Sequence, residues 1–349
     1  MTYPLQTEPM SGAASSIRLS FVISTRNRSD LIGRTLDTIL AELPLNAEIV
    51  VFDGASTDAT PELLADYASR FAALRYVRAA TNSGIDADYD NAVSHARGSY
   101  VWLFGDDDLL LSGAITRVLA LLERAPDLII VDAEVRDAAL GRVLDLRRLP
   151  FTGERVYGTE DTNRLLADAG NALSFIGGTI VRRSLWAARE RAHYYGTLFV
   201  HVGVIFQAPL TAIVLGEQFV ALRYGNASWS ARSFDIWMRL WPDLIWSLPA
   251  ADWAKRAVTE REPWRDTRQV MRMRAKGAFD LSTYRAFFKT RALGCYRAAL
   301  LALAMTPGRL VNLAILTRLR ARGLAADSAT YDLVAGRYAT KLSRWIARA

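Results

Sequence analysis

Three consecutive carboxylates, Asp106, Asp107 and Asp108, follow an apolar run, Tyr100-Val-Trp-Leu-Phe104, with only Gly105 between. Adjacent carboxylates repel one another. An oxygen-seeking cation such as Mn²⁺ or Mg²⁺ removes that repulsion and can hold a diphosphate in return. Taken by itself, such a run has a plainer alternative, an acidic turn facing water. The residues before it are aromatic and β-forming, which predicts a short buried strand. The acids would then stand at its carboxyl end, the edge where open α/β sheets bind ligands.

Other polar clusters fall at equivalent places. Arg18 to Ser24 and Glu48 to Phe52 read as strands, ending in Thr25-Arg-Asn-Arg28 and in Asp53-Gly-Ala-Ser-Thr-Asp58. Leu74 to Val77 reads as a third strand, followed by the turn Asn82-Ser-Gly84 and Asp86. Helices are expected from Ser29-Asp30 to Leu40, from Thr60-Pro61 to Phe71, over Asp86 to Ala96 and over Ala114 to Glu123, with a fifth strand at Leu128 to Asp132. Alternation at this spacing predicts an α/β fold, a mostly parallel sheet with helices on both faces. In such a sheet the four polar segments share one edge and meet in one crevice. No G-x-G-x-x-G turn or G-x-x-x-x-G-K-[ST] loop occurs, which argues against dinucleotide dehydrogenases and P-loop enzymes.

These residues carry a resemblance. Phe21-Val-Ile-Ser-Thr-Arg-Asn-Arg28, Ile49-Val-Val-Phe-Asp-Gly-Ala-Ser-Thr-Asp58, Asn82-Ser-Gly84, Gly98 through Asp108 and Ser112-Gly113 stand in the order found in family 2 glycosyltransferases with the GT-A fold. Phe199-Val-His-Val-Gly-Val-Ile205 and Leu222-Arg-Tyr-Gly-Asn-Ala-Ser-Trp229 extend the match, which also resembles the bacterial O-antigen subgroup that includes abequosyltransferases.

The resemblance implies metal-dependent, inverting sugar transfer from a nucleotide-diphosphate donor to a hydroxyl of a saccharide acceptor, itself expected to be polyprenyl-diphosphate-linked. It implies that Asp53 meets the nucleotide base and that Thr25, Arg26 and Arg28 meet nucleoside and diphosphate. Asn82 and Asp86 would line the same mouth. Asp108 would bind Mn²⁺ or Mg²⁺, Asp107 the metal shell or ribose, and Asp106 the donor sugar. Gly105 departs from the commoner D-x-D-D spelling by replacing its first acid. Arg223 would hold phosphate, and Trp229 would stack on a sugar. Relatives place an acidic pair about ninety residues beyond the metal site; here that region reads Val200-His-Val-Gly203. His201 is therefore the expected general base, with a core histidine as the alternative and Asp168, Glu190 and Glu217 in reserve. Glu217 lies nearest in sequence to the Arg223 segment and is a further acceptor-side candidate. A fold kept without turnover, binding saccharide or membrane, is the competing reading.

Charge separates the two ends of the chain. Residues 251–349 hold 20 Lys/Arg against 7 Asp/Glu, a net of +13; the whole chain is +7, which leaves −6 for residues 1–250. Five tryptophans, Trp237, Trp241, Trp246, Trp253 and Trp264, alternate with arginines, a pattern expected of helices facing an interface. Ala292 to Leu316 is the most apolar stretch, but Arg297, Pro307-Gly308 and Arg309 interrupt it, so two short helices are predicted rather than a span. The expected organisation is a tail over 1–16, a catalytic domain over 17–230 and a basic helical region over 231–349. No nucleic-acid module is recognisable. The tail lacks the charged start and apolar centre of a signal peptide. With the single cysteine, Cys295, this fits a cytoplasmic protein held peripherally on the anionic inner face of a bacterial plasma membrane.

Overall fold

The computed structural model describes residues 17–226, 232–289, 291, 294–323 and 327–348. Four strands, β1 (Leu19–Thr25), β2 (Ala47–Asp53), β3 (Leu74–Arg78) and β4 (Tyr100–Phe104), run parallel in the order β3-β2-β1-β4. Their apolar side chains are buried on both faces in β1, β2 and β4, as a parallel sheet covered by helices requires. On one face lie α1 (Ile32–Leu40), α2 (Thr60–Arg70) and α4 (Ala114–Leu122), packed on Phe21, Ile49, Trp102 and Ile129. On the other lie α3 (Ile85–His95), α5 (Thr162–Ala169) and, beyond α6 (Arg183–Ala188), α7 (Val200–Ile205), packed on Val22, Val50, Leu103 and Ile130. Pro61 opens α2, where a missing N–H costs nothing.

Past β4 the sheet becomes mixed. The two-residue β5 (Leu109–Leu110) and the longer β6 (Leu128–Arg136) lead to the hairpin strand β7 (Val143–Asp145), then β8 (Glu154–Tyr157), β9 (Thr179–Arg182) and β10 (Ala212–Arg223). β9 enters antiparallel between β4 and β6, and β10 lies parallel to β6, so β4, β6 and β10 all end at the same edge as β1.

The basic region does not stand apart. Ile236, Trp241, Leu244, Ile245, Ala254 and Val258 complete the same core as α3 and α7. Trp237 and Trp241, one turn apart, both pack against Phe199, and Trp264 is buried among Phe288 and Tyr296. The tryptophans thus serve packing more than the expected interface; of the five, Trp253 alone is largely exposed. Helices Tyr296–Met305 and Gly308–Ala321 meet at a 98° bend across Thr306-Pro307, as the sequence predicts, and no single helix among the described residues is long and apolar enough to cross a membrane.

Candidate active site

Strand register aligns the predicted residues. Thr25 pairs with Asp53, and Asp53 with Arg78. Ile23 pairs with Phe104, which sets Asp106 level with Thr25 in the row. Loops after β1, β2, β3, β4 and β10 therefore face one crevice.

On its β1–β3 side the loops are tied to each other. Asp53 is fully buried. It accepts the Ser56 N–H (2.8 Å) and the Tyr76 hydroxyl (3.0 Å) and lies 3.6 Å from the Arg78 guanidinium. Asn27, in the left-handed region with φ 56°, accepts the Thr57 N–H at 2.8 Å and joins the first two loops. Arg26 is exposed, and the charge it opposes is Asp88, a buried acid on α3 bonded to the Ser83 hydroxyl. Burial, and with it the charge on Asp53, raises the Asp88 carboxyl. A Cβ on Gly54 would come within 2.4 Å of Asp88 Oδ2, which explains the glycine after Asp53. Asn82 accepts the Gly84 N–H at 3.1 Å, an exposed Asx turn.

Asp86 has another task. Its carboxylate accepts three backbone N–H groups, from Gly196, Leu198 and Val200, at 2.8, 2.9 and 3.0 Å. Leu198 has φ 71°, a conformation that costs a branched residue about 1–2 kcal/mol and persists only where its surroundings enforce it. Asp86 supplies that enforcement and so sets the start of α7.

The aspartate trio meets the end of β10. Asp108 Oδ1 accepts the Arg223 backbone N–H at 2.9 Å. Asp107 accepts Arg223 Nε on its carbonyl (2.9 Å) and Asn226 Nδ2 on Oδ2 (2.8 Å). Arg28 lies 3.7 Å from Asp106 and donates to the Asn226 carbonyl at 3.4 Å. The Thr25 hydroxyl is buried beside Asp106, where it favours the carboxylate without making a well-formed hydrogen bond. Among the described residues, Asp107 Oδ1 and Asp108 Oδ2 accept no hydrogen bond. They flank one spot: a Cβ built on Gly105 would lie 3.4 Å from the first and 2.2 Å from the second. Gly105 therefore leaves a cradle between two free carboxylate oxygens, where an acid in the D-x-D-D position would intrude. Burial, then the neighbouring Asp107 charge, pushes the Asp106 carboxyl up to about 7 and raises Asp108 as well.

No cluster of three or more His, Cys, Asp or Glu converges as a metal cage among the described residues. Two carboxylate oxygens completed by substrate phosphates suit Mg²⁺ or Mn²⁺, which seldom use all-protein cages. Arg223 Nη2 is buried beside the trio with no hydrogen-bond partner among the described residues.

A strut from the chain's far end fixes this loop. Tyr224 donates to Asp332 at 2.9 Å, Lys276 pairs with the same carboxylate, and Tyr331 packs on Gly225, whose φ is +97°.

The remaining predicted residues lie as follows. His201 is buried, and its Nε2 is 2.7 Å from the Leu173 carbonyl. A carbonyl only accepts, so Nε2 carries the proton, while Nδ1 keeps an unpartnered lone pair. Burial pulls this imidazole down to about 4, so it is neutral at pH 7. Glu217 is exposed in a bulge of β10 and has no polar partner among the described residues, so the structure does not bring it to the trio. Asp168 is held by Arg155 and Tyr157, and Glu190 by the Arg191 N–H. Trp229 lies outside the described residues. Arg78, Asp88, Arg148 and Asn226 join the site without a motif to announce them; only Asn226, inside the Arg223 segment, has a sequence signal.

The sheet order and edge define a fold of the GT-A type. Its overall likeness to S. aureus TarS 1–349 in complex with UDP-GlcNAc has a TM-score of 0.54 at 14% identity, covering 95% of this chain and 88% of that one. Residues 20–184 match the model of glycosyl transferase family 2. Abequosyltransferase RfbV of Salmonella typhimurium is 28% identical over 206 residues, 55% of this chain and 62% of that protein. The uncharacterized protein Mb1547 of Mycobacterium bovis is 33% identical over 114 residues, 31% of this chain and 32% of that one. The chain thus aligns with less than two thirds of the length of each of these curated relatives.

Proposed function

We propose that this chain is an inverting, metal-dependent glycosyltransferase that moves a sugar from a nucleotide-diphosphate donor to a hydroxyl of a saccharide acceptor. The observation that carries the reading is the pairing of two free carboxylate oxygens, at the Gly105 cradle, with the unpartnered Arg223 Nη2. Asp107 and Asp108 would hold Mn²⁺ or Mg²⁺, which supplies positive charge for a leaving diphosphate. Arg223 adds a fixed cation for the same oxygens. Arg26 and Arg28 border the nucleoside and diphosphate, and Asp53 shapes the base end by holding its loop. In the transfer an acceptor oxygen forms a bond to the anomeric carbon. The bond from that carbon to the diphosphate breaks, and the electron pair leaves with the nucleotide. The acceptor's proton passes to a base, for which we assign His201 Nδ1, the free lone pair of a neutral ring. A thermal-shift panel of UDP-, CDP-, GDP- and dTDP-sugars with and without Mn²⁺ tests the reading. One nucleotide series should stabilise the protein in a metal-dependent way; no shift from any of them overturns it.

His201→Ala should lower turnover by about 10²-fold, the usual worth of a general base, and leave nucleotide binding unchanged. An acid limb due to His201 should fall near pH 4, since its ring is already neutral above that. Near-normal turnover would move the role to another group. The burial of His201 favours the second reading, a saccharide-binding protein without turnover; it predicts metal-dependent nucleotide-sugar binding with no product.

By its likeness to the Salmonella abequosyltransferase we extend the reading to an acceptor in O-antigen or related surface-polysaccharide synthesis, lipid-linked through a polyprenyl diphosphate. The support for cytoplasmic membrane contact is local. Met305, Leu310, Leu342 and Trp345 are exposed alongside Arg309, Lys341 and Arg344. Short helices with apolar and cationic faces suit an anionic interface. Flotation with anionic liposomes at low salt should carry the protein upward, and Trp345→Ala with Leu310→Ala should weaken it; no flotation sinks this part alone.

A further inference from the structure

We propose that Asp132 and Arg148 form a sugar-hydroxyl subsite on the β6–β9 side of the crevice, opposite the nucleotide side; this rests on the donor-site reading above. Leu103 pairs with Thr179, and Thr179 with Ile130. Two residues further along β6, Asp132 stands level with Gly105, one step short of the aspartate trio. Ile130 faces the α3 and α7 side of the sheet, and by strand alternation so does Asp132.

Asp132 is almost wholly buried, and its Oδ1 is used up by the N–H groups of Ala133, Arg148 and Leu149, at 2.8, 2.8 and 3.0 Å. Its Oδ2 is buried with no partner. Arg148 donates Nη2 to Ser174 Oγ at 2.8 Å and to the Asn171 carbonyl at 3.3 Å, and its Nε is likewise buried without a partner. Burial lowers the Arg148 guanidinium, and the charges of Asp132, Tyr224, Asp145 and Asp108 act on it in the other direction. Yet Asp132 and Arg148 form no ion pair within 4.0 Å of each other. The buried Asp132 Oδ2 and the buried Arg148 Nε, which could pair and do not, leave one acceptor and one donor open. A group bridging them must accept from Arg148 Nε and donate to Asp132 Oδ2, and a hydroxyl does both at once. A bare phosphate can only accept, and the Asp132 charge repels it. Thr179 Oγ1 and His201 Nδ1, also buried and unpartnered, project from the same side of the sheet or pack against it. His201 is joined to Arg148 through the turn that carries the Leu173 carbonyl and Ser174. These open polar atoms lie on the α3 and α7 side of the sheet, the side on which we place the sugar.

The hydroxyl can belong to the donor sugar or to the acceptor. Asp132→Asn replaces the free acceptor with an amide at constant shape, and Arg148→Lys keeps the charge while removing Nε. Both are compared with wild type by calorimetry, using each nucleoside diphosphate and its sugar-bearing form from the UDP, CDP, GDP and dTDP panel with Mn²⁺, and by acceptor KM. A donor source predicts unchanged nucleoside-diphosphate binding and at least a tenfold loss confined to the sugar-bearing form. An acceptor source predicts unchanged donor binding and at least a tenfold rise in acceptor KM. Equal losses for diphosphate and nucleotide sugar, or no change in either quantity, overturn the subsite. If Asp132→Asn shows no cooperative urea transition, Arg148→Lys decides alone. Wild-type protein that binds no nucleotide removes the donor reading and the subsite together; retained nucleotide binding without a sugar effect removes the subsite alone.

Discussion

Asp108→Ala should abolish the Mn²⁺-dependent part of nucleotide binding and lower turnover by about 10³-fold, the scale on which groups facing developing leaving-group charge act. Two properties of Asp108 set this size. Its Oδ2 borders the Gly105 cradle, and its Oδ1 holds the Arg223 N–H at 2.9 Å. Asp108→Asn separates them, because an amide oxygen still accepts from Arg223 while the charge is gone. Isothermal titration should find metal-free nucleotide binding near normal in Asp108→Asn and the Mn²⁺ increment missing. An unchanged increment would remove Asp108 from the metal site.

The pH dependence of the same increment follows from burial. Asp106 titrates at about 7 in the folded chain against an ordinary carboxyl near 3.8, and Asp108 is shifted the same way. The folded, metal-free protein thus holds protons that the unfolded chain has lost. The extra stability from Asp106 is full below about pH 4 and is lost as pH rises through about 7, and Asp108 acts in the same sense. A cation held at Asp108 needs that carboxyl ionised, and burial raises it, so affinity should fall as pH falls, by up to about tenfold per pH unit for each proton displaced. The rise in Tm on adding Mn²⁺ should therefore grow from pH 6 to pH 8. His201, with its ring pulled down to about 4, acts in the opposite sense: its contribution is present above about pH 6.5 and lost as pH falls towards 4. The metal increment isolates the trio from it, and a flat increment would place the metal elsewhere.

What the sequence revealed divides along a physical line. β1, β2 and β4 are largely apolar runs that end in polar loops, and both these strands and their shared edge are legible from pattern alone. The sequence predicts the break at Thr306-Pro307 because proline cannot continue a helix. The antiparallel entry of β9 is not legible, since four residues of Thr-Ile-Val-Arg pair in either sense and only tertiary contacts choose. Nor is the exchange of roles at Asp86, which sits where a crevice residue would and instead secures the turn that ends in Leu198. Arg148 and Asp332 come from segments with no motif, a loop and a helix near the chain's end, and their tertiary contacts are not encoded in local spacing. The tryptophans mislead for a related reason. Trp237 and Trp241 next to arginines look like an interface, but their spacing of one helical turn equally buries them on Phe199.

Gly105→Ala should reduce the Mn²⁺ increment in nucleotide binding at least tenfold while the fold survives. Gly105 is not among the residues with positive φ, so alanine meets no backbone penalty there. The penalty is contact: its Cβ would lie 2.2 Å from Asp108 Oδ2 and 3.1 Å from Asp108 Cγ. That carboxylate cannot swing freely, because Oδ1 is fixed by the Arg223 N–H. Relief requires either turning Oδ2 out of the cradle or breaking the tie to the phosphate-side loop, and both disperse the free oxygens that a cation would bridge. Gly113→Ala is the contrasting case. Gly113 has φ +81° with nothing within 4 Å of a new Cβ, so alanine there should cost about 1 kcal/mol through backbone strain and leave the Mn²⁺ increment alone. Urea midpoints and metal titrations on the two variants should therefore move in opposite columns: Gly113→Ala less stable with normal metal response, Gly105→Ala near-normal in stability with the metal response lost. A Gly105→Ala protein that binds nucleotide and Mn²⁺ as wild type would mean that the cradle beside the trio is not where the cation sits.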